Sequence, residues 1–255
     1  MLWAGVLRNE GGDDHSNMSL QPRLYLLDVE GTTSPISLVS KQLFPYARKH
    51  LRAYLHEHGG EPEVRADLVL LTEERRVESA GDAPPVSSAT NQGEAAAYLL
   101  WLMAQDRKST ALKALQGRIW KTGFENGELV GTVFPDVPEA LERWSSHAHV
   151  AIYSSGSVEA QKLLFRYSSA GDLTPYIVGY FDTHVGPKTA AESYRAIAAT
   201  MDIAPEEILF VSDMLKELEA ADEAGCVTRL SMRVGNSPVG DLHGYVAIHS
   251  FDEIG

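Results

Sequence analysis

The chain has 255 residues, 44% of them hydrophobic and 22% charged, with a formal net charge of −13. That length allows a well-buried core, with room for one large domain or a core carrying an insert. The acidic balance argues against nucleic acid as a partner, because phosphate backbones reward clustered Lys and Arg. It also repels a free phosphate ester unless a divalent cation brings the substrate in. The single cysteine, Cys226, excludes an internal disulfide and fits a reducing, cytoplasmic setting. No uninterrupted apolar stretch is long enough to cross a membrane.

Residues 1–20 are polar and contain Gly11-Gly12-Asp13-Asp14, without the basic start and apolar centre of a signal peptide, and read as a loose tail. Leu24-Tyr25-Leu26-Leu27 is an apolar run of strand length that stops at Asp28-Val29-Glu30-Gly31. Such a run predicts a buried strand of a parallel sheet. Ligands of open α/β sheets bind at the carboxyl ends of the strands. Two residues apart, Asp28 and Glu30 leave the strand on the same side, and Gly31 lets the chain turn away. Taken alone, the stretch reads equally well as a strand followed by an acidic turn.

Leu38, Val39, Leu43, Ala47, Leu51, Tyr54 and Leu55 then recur at helical spacing, with Pro45 expected to kink or split the helix. His56 and His58 do not share a helix face and suit a solvated helix end better than a metal. Residues 59–93 are polar and punctuated by Gly and Pro, predicting loop, above all at Ser79–Pro85. A second helix is expected from about Glu94 to Gln116. The Gly117–Gly127 stretch, aromatic and charged, is read either as the floor of a ligand pocket or as a docking surface.

From Phe134 the pattern alternates strand and helix. Asp136 is placed to cap a helix containing Pro138, Leu141 and Trp144. His147 to Tyr153 enters a strand, and its two histidines, lacking a third ligand, read as structural. Ser154-Ser155-Gly156-Ser157 follows that strand and precedes a helix, which makes either an anion site at a helix N-terminus or ordinary serine capping. A short strand over Ile177–Phe181 leads to Lys188, and the P-loop ending Gly-Lys-Ser/Thr is absent. Glu207 to Val211 forms another strand, ending at Ser212-Asp213. A helix to Ala224 is closed by Gly225, and Cys226–Leu230 forms a last strand.

Polar residues thus gather at four strand ends: Asp28 with Glu30, Ser154 with Ser155, Lys188, and Asp213. Together they suit phosphoryl transfer. A carboxylate such as Asp28 can attack phosphorus. Glu30 can protonate the leaving oxygen and later deprotonate water. Ser154 can hydrogen-bond a phosphoryl oxygen, and Lys188 can offset negative charge. Asp213 can share Mg²⁺ with Asp28, since Mg²⁺ prefers oxygen ligands and keeps several waters.

These four positions resemble the motifs of the haloacid-dehalogenase-like phosphatases. Within that superfamily the chain is similar to the enolase-phosphatase (acireductone synthase) family of methionine salvage. The likeness runs from about residue 24 to 236, through Leu26–Thr33, Leu43–Arg48, Tyr153–Phe165, Gly179–Thr183, Glu192–Arg195 and Ile208–Asp213. The Ser154–Lys162 run and the glutamate at Glu30 are its most specific parts. Near the end the family shows Arg-Pro-Gly-Asn, where this chain has Arg233-Val234-Gly235-Asn236, and Met214 stands where the family tends to have Val.

The resemblance implies an α/β fold: a Rossmann-like core, parallel sheet with helices on both faces, over 21–35 and 131–255, with a helical cap inserted over 36–130. It implies a monomer acting on a small phosphate ester, 2,3-diketo-5-methylthiopentyl-1-phosphate, which is enolised and then dephosphorylated. By the same correspondence Asp28, Glu30 and Asp213 serve Mg²⁺, Glu30 through its backbone carbonyl, and Ser154, Ser155 and Lys188 contact the substrate phosphate. The base for enolisation is Glu30 or a cap residue. The Trp120–Phe124 region is the candidate pocket for the thioether tail. A phosphatase for another small ester, without enolisation, is the alternative, followed by a catalytically silent binding module.

Overall fold

The computed structural model describes residues 21–254, so the tail expected over 1–20 lies outside the described residues. Six parallel strands form one sheet: β1 (Leu24–Leu27), β2 (His149–Tyr153), β3 (Gly179–Phe181), β4 (Ile208–Ser212), β5 (Val227–Ser231) and β6 (Ala247–Ile248), in the order β3-β2-β1-β4-β5-β6. Strand β1 is central, pairing Leu27 with Ile152 on one side and Val211 on the other. All four of its residues are buried, which is why it reads as an unbroken apolar run. Successive side chains serve opposite faces. Tyr25 and Leu27 pack toward Trp144, while Leu24 and Leu26 join Tyr194 and Phe210. The fold is therefore an α/β Rossmann-like sheet with helices on both faces.

Eight helices accompany the sheet among the described residues: α1 (Phe44–His58), α2 (Pro62–Val77), α3 (Gln92–Ala104), α4 (Thr110–Glu125), α5 (Val137–Ser145), α6 (Val158–Arg166), α7 (Ala191–Met201) and α8 (Leu215–Glu223). The first four, between β1 and β2, bury an apolar cluster of their own around Leu51, Leu68, Leu71, Leu99, Leu102 and Leu115.

Several local expectations need correction. Pro45 does not divide its helix. A π-helical turn over Val39–Leu43 runs directly into α1 and absorbs the missing proline N–H, and the Trp120 indole donates to the Leu43 carbonyl at 2.8 Å. Residues 59–93 are not all loop. Pro62 opens α2, and Val64, Leu68 and Leu71 form its buried stripe, a spacing hidden by the many charges around it. The following loop is fastened by Arg75, which donates to the carbonyls of Ala83 and Pro84 at 2.8 and 2.7 Å. The helix expected from about Glu94 to Gln116 is two helices, parted before the Ser109 cap of α4, where Asp106 takes φ +49°. Gly117 to Glu125, expected as pocket floor or docking surface, belongs to α4.

Asp136 stands at the N-cap position of α5, as expected, but its side chain makes no capping bond there. Its carboxylate lies 2.8 Å from the Arg233 guanidinium and accepts the Phe251 N–H at 2.6 Å. Arg233 is itself held between the rings of Phe134 and Phe251, 4.8 and 4.6 Å away. This cluster fastens the C-terminal segment to the sheet.

The Asp136 pKa shift carries a stability consequence. Burial pushes this carboxyl up, but the Arg233 hydrogen bond and charge and the Phe251 N–H outweigh it and hold the pKa below the ordinary value. A depressed carboxylate contributes stability above the unfolded pKa of about 3.9, and that contribution fades as pH falls through the folded pKa. Asp136→Asn, which strands a buried guanidinium, is expected to cost about 3 kcal/mol at pH 7. The gap from wild type should close in strong acid. Urea unfolding of both proteins at neutral and acidic pH checks this, and a gap that widens on acidification would refute it.

Candidate active site

The carboxyl ends of β1, β2 and β4 and the loop after β3 carry the site. Asp28 follows β1 directly and is buried. Its Oδ1 meets the Lys188 ammonium at 2.6 Å and accepts the Val29 N–H at 2.7 Å. Oδ2 lies 3.2 Å from the Ser212 hydroxyl. Lys188 also reaches Glu217 Oε2 at 2.6 Å, and Ser212 Oγ lies 2.8 Å from that same oxygen. Asp28, Lys188, Glu217 and Ser212 therefore close a ring. Burial alone would lower the Lys188 pKa, but the charges and hydrogen bonds of Asp28 and Glu217 reverse this and raise it. The ammonium stays charged where it is needed.

Lys188 reaches this position because its loop is tied from three sides. Tyr153 donates to the Gly186 carbonyl at 2.9 Å, Ser193 to that of Pro187 at 2.8 Å, and Tyr194 to that of Lys188 at 2.7 Å. Gly186 takes φ +139° against Ser193, a conformation and a contact that a Cβ would forbid.

Glu30 is exposed at the rim of the site. The protein around its carboxyl and the Asp28 charge push its pKa up, with Lys188 pulling the other way. Asp213 is pushed up to about 7 by burial and by the charges of Asp28 and Glu217. Glu217 is also raised, first by burial and then by Asp28. Ser154 is buried at the end of β2, and its Oγ accepts the Gly156 N–H at 3.2 Å. Ser155 is exposed, and its carbonyl accepts from Lys113 of α4 at 3.1 Å. Neither serine bonds the carboxylates among the described residues. Ser157 caps α6 through the Ala160 N–H at 3.3 Å.

The structure thus joins Asp28 to Lys188 directly, sets Glu30 and Asp213 within their field, and leaves Ser154 and Ser155 on the adjoining loop. Sequence reasoning missed Glu217 and Ser212. Glu217 stands in the first turn of α8, and nothing in its local pattern sets it apart from the other charged residues of that helix. The thioether-pocket expectation fails for Phe124, which is 2% exposed and stacked on Tyr167 inside the core. Trp120 is half-buried against Phe44.

Among the described residues, no three His, Cys, Asp or Glu side chains form a ready-made metal cluster. Mg²⁺ needs fewer, since it is held by one or two carboxylates and keeps waters. The residues present fit it. Asp28 and Asp213 would offer it carboxylate oxygens, and the raised Asp213 pKa marks an excess of negative charge that a cation would relieve. Gly31, at φ +71°, leaves a hollow in which a Cβ would collide with the Asp213 carboxylate.

The profile of the haloacid dehalogenase-like hydrolases matches residues 22–225, and the chain belongs to that family. The enolase-phosphatase E1 of Synechococcus elongatus is 51% identical over 230 residues, covering 90% of this chain and 96% of that protein. The crystal structure of the UTR4 protein of Saccharomyces cerevisiae superimposes with a TM-score of 0.76 at 35% identity, covering 91% of this chain and 99% of that one. In Vitis vinifera the matching region, 44% identical, is half of a longer chain whose name pairs enolase-phosphatase E1 with a methylthioribulose-1-phosphate dehydratase. Within the hydrolases, this chain's branch is that of the enolase-phosphatase E1 proteins.

The ring of contacts ranks its members. For hydrolysis of p-nitrophenyl phosphate, Lys188→Met is expected to lower kcat by about 10²–10³-fold, the usual cost of one charge-stabilising donor. Glu217→Gln should cost less, because Asp28 still holds the ammonium. A larger loss in Glu217→Gln than in Lys188→Met would place Glu217 against the reacting atoms instead.

Proposed function

We propose that this chain is a Mg²⁺-dependent enolase-phosphatase. It converts 2,3-diketo-5-methylthiopentyl-1-phosphate to the acireductone 1,2-dihydroxy-3-keto-5-methylthiopentene and inorganic phosphate, in methionine salvage. The observation that carries the phosphatase chemistry is the Asp28 carboxylate fixed at the end of the central strand by Lys188 at 2.6 Å. The substrate follows from membership of the enolase-phosphatase E1 branch.

In this reading Asp28 attacks phosphorus and the bond from phosphorus to the substrate oxygen breaks. Glu30, its pKa raised, gives that oxygen a proton. An aspartyl-phosphate remains. The Glu30 carboxylate then takes a proton from water, whose oxygen attacks phosphorus, and Asp28 is regenerated with release of phosphate. Lys188 offsets the charge on Asp28 and on the phosphoryl group throughout. Ser154 and Ser155 receive the phosphate beside the N-terminus of α6. Asp28, Asp213 and the backbone carbonyl of Glu30 would hold Mg²⁺, which when bound offsets the repulsion between carboxylate and phosphate.

Helices α1–α4 act as the cap, over 36–130, on a core of 21–35 and 131–255. The Lys113 contact to the Ser155 carbonyl supports this, since it joins the helical layer to the phosphate loop. No described helix is long and apolar enough to cross a membrane. The single, buried cysteine suits a cytoplasmic enzyme, and a monomer is the assembly that the family resemblance implies.

The test is one time course on the diketo phosphate with Mg²⁺, following enol absorbance and phosphate release together. Wild type should give enol and then phosphate, and Asp28→Asn no phosphate above background. Phosphate released by wild type from other esters, with no enol at any time, would overturn the substrate in favour of a general small-ester phosphatase.

A further inference from the structure

The turn after β5 meets the loop after β1 at Gly31, and Asn236 is one of the side chains that join them. The turn spans Arg233 to Asn236, closed by the Asn236 N–H to the Arg233 carbonyl at 3.1 Å, with Gly235 at φ +96°. A glycine in the left-handed region at the third position defines the turn type and fixes where the fourth residue points. Arg233, buried between two rings, anchors its start and donates to the Thr32 carbonyl at 3.2 Å. Asn236 Nδ2 donates to the Gly31 carbonyl at 2.8 Å and to that of Ser231 at 3.2 Å. Two carbonyl acceptors require the NH₂ end on that side, so the orientation of the amide is set.

Its other end is the unusual one. Asn236 Oδ1 is buried and has no hydrogen-bond partner. It lies 3.0 Å from the point where a Cβ on Gly31 would stand. The Asp213 carboxylate crowds the same point. A buried carbonyl oxygen without a donor costs about 1–3 kcal/mol, so such atoms call for an occupant of the space they face. A carboxylate that ligates a cation is deprotonated and offers no proton. The water shell of a divalent cation does.

We infer that Asn236 is a positioning residue of the cation site, its Oδ1 accepting a hydrogen bond from a water bound to Mg²⁺, while its Nδ2 holds the loop that carries Glu30. The inference rests on the Mg²⁺ reading of Asp28 and Asp213. It gives the Arg233–Asn236 turn a part in metal binding: the side chain that closes the loop also orders the hydration of the ion.

The test is calorimetric titration of MgCl₂ into wild type, Asn236→Ala, Asn236→Asp, Ser231→Ala and Asp213→Asn, with melting temperatures taken in EDTA. Ser231 also donates to the Gly31 carbonyl, at 2.8 Å, so Ser231→Ala removes a loop contact without touching Oδ1. Loss of an outer-shell partner is expected to weaken Mg²⁺ binding about tenfold in Asn236→Ala, against about twofold or less in Ser231→Ala. Asn236→Asp, which keeps an oxygen in place, should recover binding relative to Asn236→Ala. Unchanged affinity in Asn236→Ala, or equal losses in Asn236→Ala and Ser231→Ala, would overturn the inference. Should Asn236→Ala fail to fold, Asn236→Asp binding less tightly than Ser231→Ala would overturn it equally. Uptake by wild type but not by Asp213→Asn upholds the metal site whatever Asn236 does. No uptake by wild type removes the metal reading and this inference with it.

Discussion

A single buried ammonium holds the centre of this protein together. Lys188 and Asp28 are nearly closed to solvent, and Glu217 is only a little less so. Charges withdrawn from water are expensive unless matched, and a site with Asp28, Asp213, Glu217 and Glu30 carries far more negative than positive charge. The ammonium reduces that excess at Asp28 itself. The remaining excess shows in the upward shifts at Asp213, Glu217 and Glu30. Those shifts mark an excess of negative charge that a cation would relieve.

Placing one ammonium so closely requires a rigid frame, and the frame is the sheet. Strands β1 and β4 are buried along their whole length, so their ends cannot move independently. The Lys188 loop is then hung from hydroxyls on β2 and α7, groups that are themselves packed against Phe210 and each other. Tyr153 and Tyr194 thus do two things: their rings fill the core and their hydroxyls position a loop. On the other side, the Arg233 cluster and the Asn236 turn fasten the segment after β5 to the loop after β1. The helical layer touches the site through Lys113 and is tied to its own root by Trp120, whose indole satisfies a carbonyl at the π-helical turn. Trp120 therefore braces the junction.

Strand β6, beyond the strand expected to be the last, was not legible, because two residues make too short a run to stand out. Strands β1 to β5 were legible as short runs bounded by polar or glycine residues, most plainly β1 and β4, whose burial on both faces leaves no alternation to misread. The strand-end polar residues were legible for the same reason: Asp28, Ser154 and Asp213 each interrupt such a run abruptly. Helix α2 was not legible as a whole, because its stripe of Val64, Leu68 and Leu71 is embedded among Glu and Arg that solvate its outer face. The break between α3 and α4 depends on one left-handed residue, Asp106, and a serine cap, both of which are common inside longer helical patterns.

What the sequence by itself determined is the order of buried strands and the chemistry at their ends, because hydrophobic runs and the residues that end them are local properties. What only the tertiary structure decided is partnership. Asp136 holds the N-cap position of a helix, but its carboxylate is paired with an arginine 97 positions away, since a buried guanidinium competes for it more strongly than the backbone N–H groups of the first turn do. Phe124 reads as a pocket residue but is consumed by the core. Glu217, Ser212 and Asn236 carry no signal of their own; they matter because the fold brings them to Lys188, Asp28 and Gly31. Long-range electrostatic and hydrogen-bond pairing depends on where chain segments meet, and that is set by the packing of the whole sheet.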